Sequence, residues 1–324
     1  MNHLAQSARN GFCTSVLNRK SESRKDKAWI QDQLVNPAAL FIPVWRSKNL
    51  FSRQELHQPV FLDWSAVEQL ITVDMDACVF LGMQAERPCF AIEVPEDEAS
   101  APEMFSNLGL FQDIRKVGAL IDSQSSGLLA YARGIVHWHQ NQRFCGKCGH
   151  PTASRESGHM RVCSNKKCAL EHFPRTDPAI IVLVTYGEKC LLARQPTWKP
   201  KGYATIAGFV EPGESLEQAV VREVLEETGV RVDSVTYHSS QPWPFPCSIM
   251  LGFTAVAGNP DIRIDGQEIE DARWFLPAEI YDGVTSGSLF LPPGLSISHS
   301  LIADWYDRHG QGRLADIMSA DSKW

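Results

Sequence analysis

The sequence predicts an α/β protein, an α/β/α sandwich with a mixed sheet, preceded by a small cysteine-bearing ribbon and an α+β N-terminal domain. Three observations carry this expectation. Downstream of residue 177, short apolar, β-branched runs surround one strongly amphipathic helix. Four of the nine cysteines sit in two close pairs between Cys145 and Cys168. Ahead of them, apolar-aromatic bursts alternate with polar turns.

Along the chain, residues 1–140 form the N-terminal domain. Roughly the first 25 residues, including basic, polar Arg19 to Lys27, read as a flexible lead-in. Leu40 to Trp45, Cys78 to Gly82 and Cys89 to Val94 read as strands. Pro95 to Glu103, with two prolines and four acidic residues, reads as an exposed loop. Leu128, Leu129, Tyr131, Ala132, Ile135 and Val136 give Leu120 to Gln140 a helical stripe in its later part. A ribbon follows over 141–174. The apolar run Ala179 to Thr185 is a buried strand, and a turn at Tyr186 to Lys189 leads to a second, Cys190 to Ala193. Glu214 to Thr228 places Leu216, Ala219, Val220, Val224 and Leu225 on one helical face. Ser215 and Glu214 suit its start, and Gly229 suits its left-handed end. Val230 to Tyr237, Ile249 to Ala257 and Glu268 to Phe275 read as strands, and Leu301 to His309 as a closing helix. The second domain spans 175–312, leaving 313–324 as a tail.

At 324 residues the chain is long enough for two or three domains. With 44% hydrophobic and 21% charged residues, it has the composition of an ordinary globular protein. A net charge of −7 argues against non-specific adhesion to nucleic acid or anionic membrane, while permitting a local basic groove around a phosphate. No apolar run approaches the length of a membrane span and no signal-like segment follows the start. Ser322-Lys323-Trp324 is not the Ser-Lys-Leu peroxisomal signal, so a cytoplasmic protein without a membrane partner is expected.

Cys145-Gly-Lys-Cys148 and Cys163-Ser-Asn-Lys-Lys-Cys168 are separated by fourteen residues. Each pair can grip one side of a tetrahedral Zn²⁺, with Gly146 and Gly149 easing the turns beneath the sulfurs. One structural zinc per chain is expected, closed by four thiolates and therefore not catalytic; His150 and His159 are nearby substitutes. Cys13, Cys78, Cys89, Cys190 and Cys247 read as ordinary thiols.

On the amphipathic helix, Glu223, Glu226 and Glu227 stand at i, i+3 and i+4, so their carboxylates share a face. Such crowding opposes helix formation unless a cation compensates, and hard oxygen ligands favour Mg²⁺ or Mn²⁺. Arg222 is placed to orient a glutamate or add positive charge. The alternative for three glutamates is a solvated acidic face. Gly208, Glu214, Arg222, Glu223, Glu226, Glu227 and Gly229 together resemble the Nudix box, the catalytic loop-helix-loop of hydrolases that cleave nucleoside diphosphates linked to another group.

Downstream, Gln241-Pro242-Trp243-Pro244-Phe245-Pro246-Cys247-Ser248 is a stiff segment with two flat rings and polar ends. It suits gripping a planar ring beside a diphosphate, or forming a rigid turn packed by its own aromatics. SQPWPFPxS after a Nudix box, with CxxCG and Phe173-Pro-Arg-Thr-Asp-Pro-Ala-Ile-Ile181 before it, resembles the NADH pyrophosphatase family over roughly residues 115–305. The resemblance implies metal ligation by Glu223, Glu227, Glu268 and the Ala207 carbonyl, with Glu226 or Glu227 as general base. It implies substrate contacts from Gln241 to Ser248, from Phe173 where some members carry Tyr, from Ser298 where Ala is frequent, and from Arg115. Phe209 is either a stacking surface or core. The implied reaction is NAD(H) + H₂O → NMN(H) + AMP, extended to NAD at the 5′ end of RNA, for which Arg161, Lys166 and Lys167 form a candidate basic rim. A homodimer through the N-terminal region and ribbon is also implied. Two alternatives remain open: a hydrolase of ADP-ribose or other nucleoside diphosphate derivatives, and a non-catalytic nucleotide sensor.

Overall fold

A computed structural model describes residues 2–13, 17–70, 78–95, 101–264, 266 and 268–318. The chain divides into two compact units. Unit 1 holds residues 1–11, 177–242 and 248–324, and unit 2 holds 12–176 and 243–247. Helix α1 (His3–Arg9) belongs to unit 1. In unit 2 follow β1 (Leu17–Asn18), α2 (Lys27–Leu34), β2 (Leu40–Trp45), β3 (Lys48–Phe51), α3 (Trp64–Leu70), β4 (Val79–Gln84), β5 (Arg87–Glu93), α4 (Ala101–Met104), β6 (Leu110–Gln112), α5 (Ile114–Val117) and α6 (Ser123–Asn141). The ribbon adds β7 (Thr152–Arg155), β8 (Met160–Cys163) and β9 (Glu171–His172). Unit 1 resumes with β10 (Asp177–Tyr186), β11 (Lys189–Arg194), β12 (Ile206–Phe209), α7 (Leu216–Thr228), β13 (Val232–Trp243), β14 (Ser248–Ala257), β15 (Asp271–Phe275), α8 (Pro277–Thr285), α9 (Ile297–His309) and α10 (Leu314–Ile317).

Within unit 2 the six strands run in the order β1-β4-β5-β2-β3-β6, and only β2 and β5 pair in parallel. Phe41, Phe80, Phe90 and Phe105 fill the core, with Phe41 and Phe90 stacked at 5.2 Å. Asp122 caps α6 by accepting from the Ser125 amide, and the helix lies against β5 and β2. The ribbon is a separate antiparallel sheet, β7-β8-β9.

The sheet of unit 1 runs β13-β14-β10-β11-β15, with β12 pairing the opposite half of the β10 edge that β11 uses. β10 and β14 are parallel, so the sheet is mixed. Along β10 the side chains alternate. Ile180, Val182 and Val184 meet Val220 and Val224 of α7, while Ile181 and Leu183 meet Ile280, Ile302 and Trp305 of α8 and α9. Burial on both faces explains why this strand reads as an unbroken apolar run, and it makes the unit an α/β/α sandwich.

Several expectations need correction. Arg19 to Lys27 is not an unstructured lead-in: β1 pairs with β4, residues 21–25 form a 3₁₀ turn, and Asp26 caps α2 through the Trp29 amide. The loop expected at Pro95 to Glu103 runs into α4 at Ala101, with residues 96–100 outside the described residues. The strand expected from Glu268 starts only at Asp271, and the tail contains α10. Ser322, Lys323 and Trp324 lie outside the described residues. The strand after the box runs on to Trp243, through Pro242. As the outermost strand of its sheet, β13 tolerates a proline that no inner strand would accept.

Unit 1 is also tied by a small, partly buried cluster around Asp304. Asp304 on α9 accepts from His238 Nε2 at 2.9 Å and from Arg9 of α1 at 2.7 Å. Burial pushes the Asp304 carboxyl up, but the bonds from His238 and Arg9 outweigh it and hold the group well below the usual carboxylate range. A depressed carboxyl stabilises the fold above its unfolded pKa of about 3.9 and loses that contribution as pH falls. Asp304→Asn is therefore expected to cost about 1–3 kcal/mol at pH 7, with the deficit shrinking below about pH 4. Urea unfolding of both proteins across that range measures it.

Candidate active site and metal centre

Helix α7 is closed at both ends by its own sequence. Ser215 and Gln218 form a reciprocal capping box, and Gly229 takes the left-handed conformation (φ 70°) that terminates it. Glu223 and Glu227 are buried, at 9% and 7% exposure, whereas Glu226 is exposed. Glu223 lies against β12 so closely that a Cβ on Gly208 would come within 2.0 Å of its carboxyl group. The glycine is required here by close approach, not by an unusual dihedral.

Arg222 organises the acidic side chains. Its Nε donates to Glu214 at 2.6 Å, Nη1 to Glu223 at 2.8 Å and Glu226 at 3.1 Å, and Nη2 to the Phe209 carbonyl at 2.9 Å. The hydrogen bond to Glu214 is the main reason the guanidinium is held charged even more firmly than usual. Burial pushes the Glu223 carboxyl up; Arg222 opposes this, and the charges of Glu226 and Glu268 add to it. Glu268 is thus within electrostatic reach of Glu223, although it is exposed and precedes β15. Ala207 pairs with Ile181 one residue before Gly208. Glu214, expected only to suit the start of the helix, lies just before the Ser215 cap and anchors Arg222.

The Gln241 to Ser248 segment does not present its first polar side chain outward. Gln241 is fully buried. Its Nε2 donates to the carbonyls of Leu295 (2.7 Å) and Gly11 (3.1 Å), and its Oε1 accepts from Ile297 N (2.8 Å). Its amide therefore faces the protein. Ser298 is also buried, accepting from Thr205 N and sharing a hydrogen bond with the Thr205 hydroxyl at 2.8 Å. Ser248 opens β14 opposite Asp177, and Phe209 stands 60% exposed on β12.

In unit 2, Trp243 and Phe245 pack on each other and on Phe12. Arg133 of α6 lies 4.6 Å from the Phe245 ring and donates to the Pro244 and Ser47 carbonyls. Gly134 leaves room for Pro244, which a Cβ would approach to 2.9 Å. Arg115 sits 5.4 Å from the Phe245 ring and pairs with Asp113. Arg133 carried no sequence signal beyond its place on the helix. Pro246 is exposed and Cys247 half-buried, while Phe173 is exposed on the ribbon. Arg161, expected on a basic rim, is instead half-buried and bonded to Gln142, Thr152 and His139. Lys166 and Lys167 are exposed.

Cys145, Cys148, Cys163 and Cys168 bring their sulfurs within 4.8 Å of one another, the geometry of a single tetrahedral metal. Gly149 (φ 72°) turns the first knuckle, where the Cys145 amide donates to the His150 carbonyl. His159 bonds to the Phe80 carbonyl, away from any role in this quartet. Among the described residues no other group of three or more His, Cys, Asp or Glu converges as closely. The glutamates of α7 are a wider set, partly engaged by Arg222.

Three family models match the chain: a NUDIX domain over residues 175–291, an NADH pyrophosphatase-like rudimentary NUDIX domain over 38–138, and an NADH pyrophosphatase zinc ribbon domain over 140–173. The chain is 34% identical over 342 residues to the NAD-capped RNA hydrolase NUDT12 of Macaca fascicularis, covering 91% of this chain and 73% of that one. It is 44% identical over 186 residues to the NAD-capped RNA hydrolase NudC of Stutzerimonas stutzeri (57% and 64% covered). It is 37% identical over 223 residues to the human mitochondrial NAD(P)H pyrophosphatase NUDT13 (64% and 62%).

Gly208→Ala drives a methyl group into the Glu223 carboxyl, which must leave its place over β12. The expected cost is about 1–3 kcal/mol, seen as a lower urea midpoint at unchanged slope.

Proposed function

This chain belongs to the NADH pyrophosphatase family of Nudix hydrolases, and on that premise we propose that it hydrolyses the diphosphate of NAD(H) to NMN(H) and AMP. The same cleavage of the diphosphate of NAD at the 5′ end of RNA would release NMN and leave a 5′-monophosphate on the RNA. The observation that carries the reading is the buried pair Glu223 and Glu227 on α7, of which Glu223 is held over Gly208 and braced by Arg222. Burying carboxylates is costly unless a cation offsets them. Glu223 and Glu227, with the Ala207 carbonyl and Glu268, supply hard oxygen donors that fit Mg²⁺ or Mn²⁺. A donor set wider than the cysteine quartet suits ions that keep several waters. Bound there, such ions supply charge to the diphosphate and acidify a water.

The chain's own residues do the rest. Glu226 or Glu227 takes the proton of the attacking water, and the Arg222 hydrogen bond favours the charged form of Glu223 and aims it. Exposed Phe209 and Phe173 offer flat faces to a base or nicotinamide, and Trp243 and Phe245 present partly exposed rings. The direct substrate contacts of the Gln241 to Ser248 segment would come from Pro242 onward, since the Gln241 amide is already satisfied. Ser298 and Arg115 would act through Thr205 and Phe245 rather than by free polar groups. Lys166 and Lys167 remain candidates for an RNA rim. The four cysteines would hold one structural Zn²⁺ in a ribbon spanning 141–174, ahead of a hydrolase domain at 175–312. A cytoplasmic homodimer completes the proposal.

Incubation of the purified protein with Mg²⁺ or Mn²⁺ and, separately, NADH, NAD⁺, ADP-ribose or NAD-capped RNA tests the reading. NMN(H) and AMP are expected, with Glu227→Gln slower by at least about 10²-fold. Turnover of ADP-ribose alone would overturn the dinucleotide assignment, and retained binding without turnover would favour a sensor. Metal analysis should find one zinc per chain, lost in Cys163→Ser together with the fold of the ribbon.

A further inference from the structure

The last residues of β13 before the proline–aromatic segment are gripped by the N-terminal segment of the same unit. The ring of His3 hydrogen-bonds to the His238 carbonyl at 3.0 Å. Asn10 donates from Nδ2 to Ser239 Oγ at 3.1 Å and to the Ser240 carbonyl at 2.9 Å. The Ser240 amide donates to Ser7 Oγ at 3.1 Å. The Gly11 carbonyl takes one Gln241 amide hydrogen, the Leu295 carbonyl just before α9 takes the other, and the Ile297 amide at the start of α9 donates to the side-chain oxygen. Gly11 has no room for a side chain, since a Cβ there would lie 2.4 Å from Leu295 Cδ1.

This arrangement solves a problem at the sheet edge. β13 is outermost, and the N–H and C=O of one strand residue point to the same side. At Ser240 both groups are taken by Ser7 and Asn10, as a further strand would take them. Two residues later Pro242 begins the stiff segment. With three hydrogen bonds to two chain segments satisfying it, the buried Gln241 amide is held in one orientation.

We propose that residues 2–11, with the start of α9, form a clasp that sets the position of the strand where it enters the Gln241 to Ser248 segment. Asn10 and Gln241 are then positioning residues for substrate. This rests on the reading that the segment grips a dinucleotide.

The test is Asn10→Ala in the full chain, followed by NADH kinetics and by hydrogen–deuterium exchange of peptides covering residues 238–250. Loosening should speed exchange there and raise KM about five- to tenfold, the loss of one or two neutral hydrogen bonds, while kcat stays within about twofold. Unchanged exchange would overturn the clasp. Faster exchange at unchanged KM would overturn the positioning role and leave a purely structural tie. Ser7→Ala, which removes one bond, serves if Asn10→Ala does not fold. If the wild type cleaves no dinucleotide, the substrate reading fails, and exchange alone still judges the clasp.

Discussion

Holding the Glu223 carboxylate against the backbone of β12 carries a desolvation cost, and the surroundings of α7 are arranged to meet it. Gly208 removes the side chain that would occupy the space, and Arg222 places a guanidinium hydrogen bond on the carboxylate. Arg222 is itself kept in place by Glu214 and by the Phe209 carbonyl. The helix carrying the glutamates is fixed from the other side by Val220 and Val224 in the core. A buried anion is stable only when both its charge and its lone pairs are answered, so these residues behave as one unit. Loss of any one would leave the others poorly compensated.

Much of this was legible because the relevant physics is local. The α7 cap residues Ser215 and Gly229 act on their own helix, and the cysteine spacing specifies a knuckle irrespective of what lies beyond it. β10 was legible because a strand buried on both faces must be apolar at every position. The amphipathic α6 was legible for the corresponding helical reason. In each case one stretch of sequence contains nearly all the information the element needs.

The rest depended on partners distant in sequence. Gln241 looked like a free polar group beside two aromatics, yet its hydrogen bonds go to Gly11, Leu295 and Ile297. Arg161 looked like part of a basic cluster with Lys166 and Lys167, but His139 and Thr152 draw it inward. Helix α1 is too short to announce itself by periodicity, and its place in unit 1 follows from contacts with residues more than two hundred positions away. The polar lead-in at Arg19 to Lys27 is ordered for the same kind of reason: Leu17 and Asn18 supply an edge strand to β4. Polar residues are the hardest to place from sequence, because a satisfied inward group and a solvated outward one have the same letter.

The two candidate metal-binding sets in the chain differ in a way that bears on their proposed roles. The cysteine quartet converges within 4.8 Å, and four thiolates around one zinc leave no position for a substrate. The ribbon strands are two to four residues long and bury little apolar surface, so closing that quartet is what would hold them together. The α7 glutamates do not converge to the same degree, and Arg222 already spans Glu223 and Glu226. An open oxygen set of this kind is a poor structural clamp. It is suited instead to ions that arrive with water and share their coordination with a phosphate, because the positions left unfilled by protein are those a diphosphate can occupy.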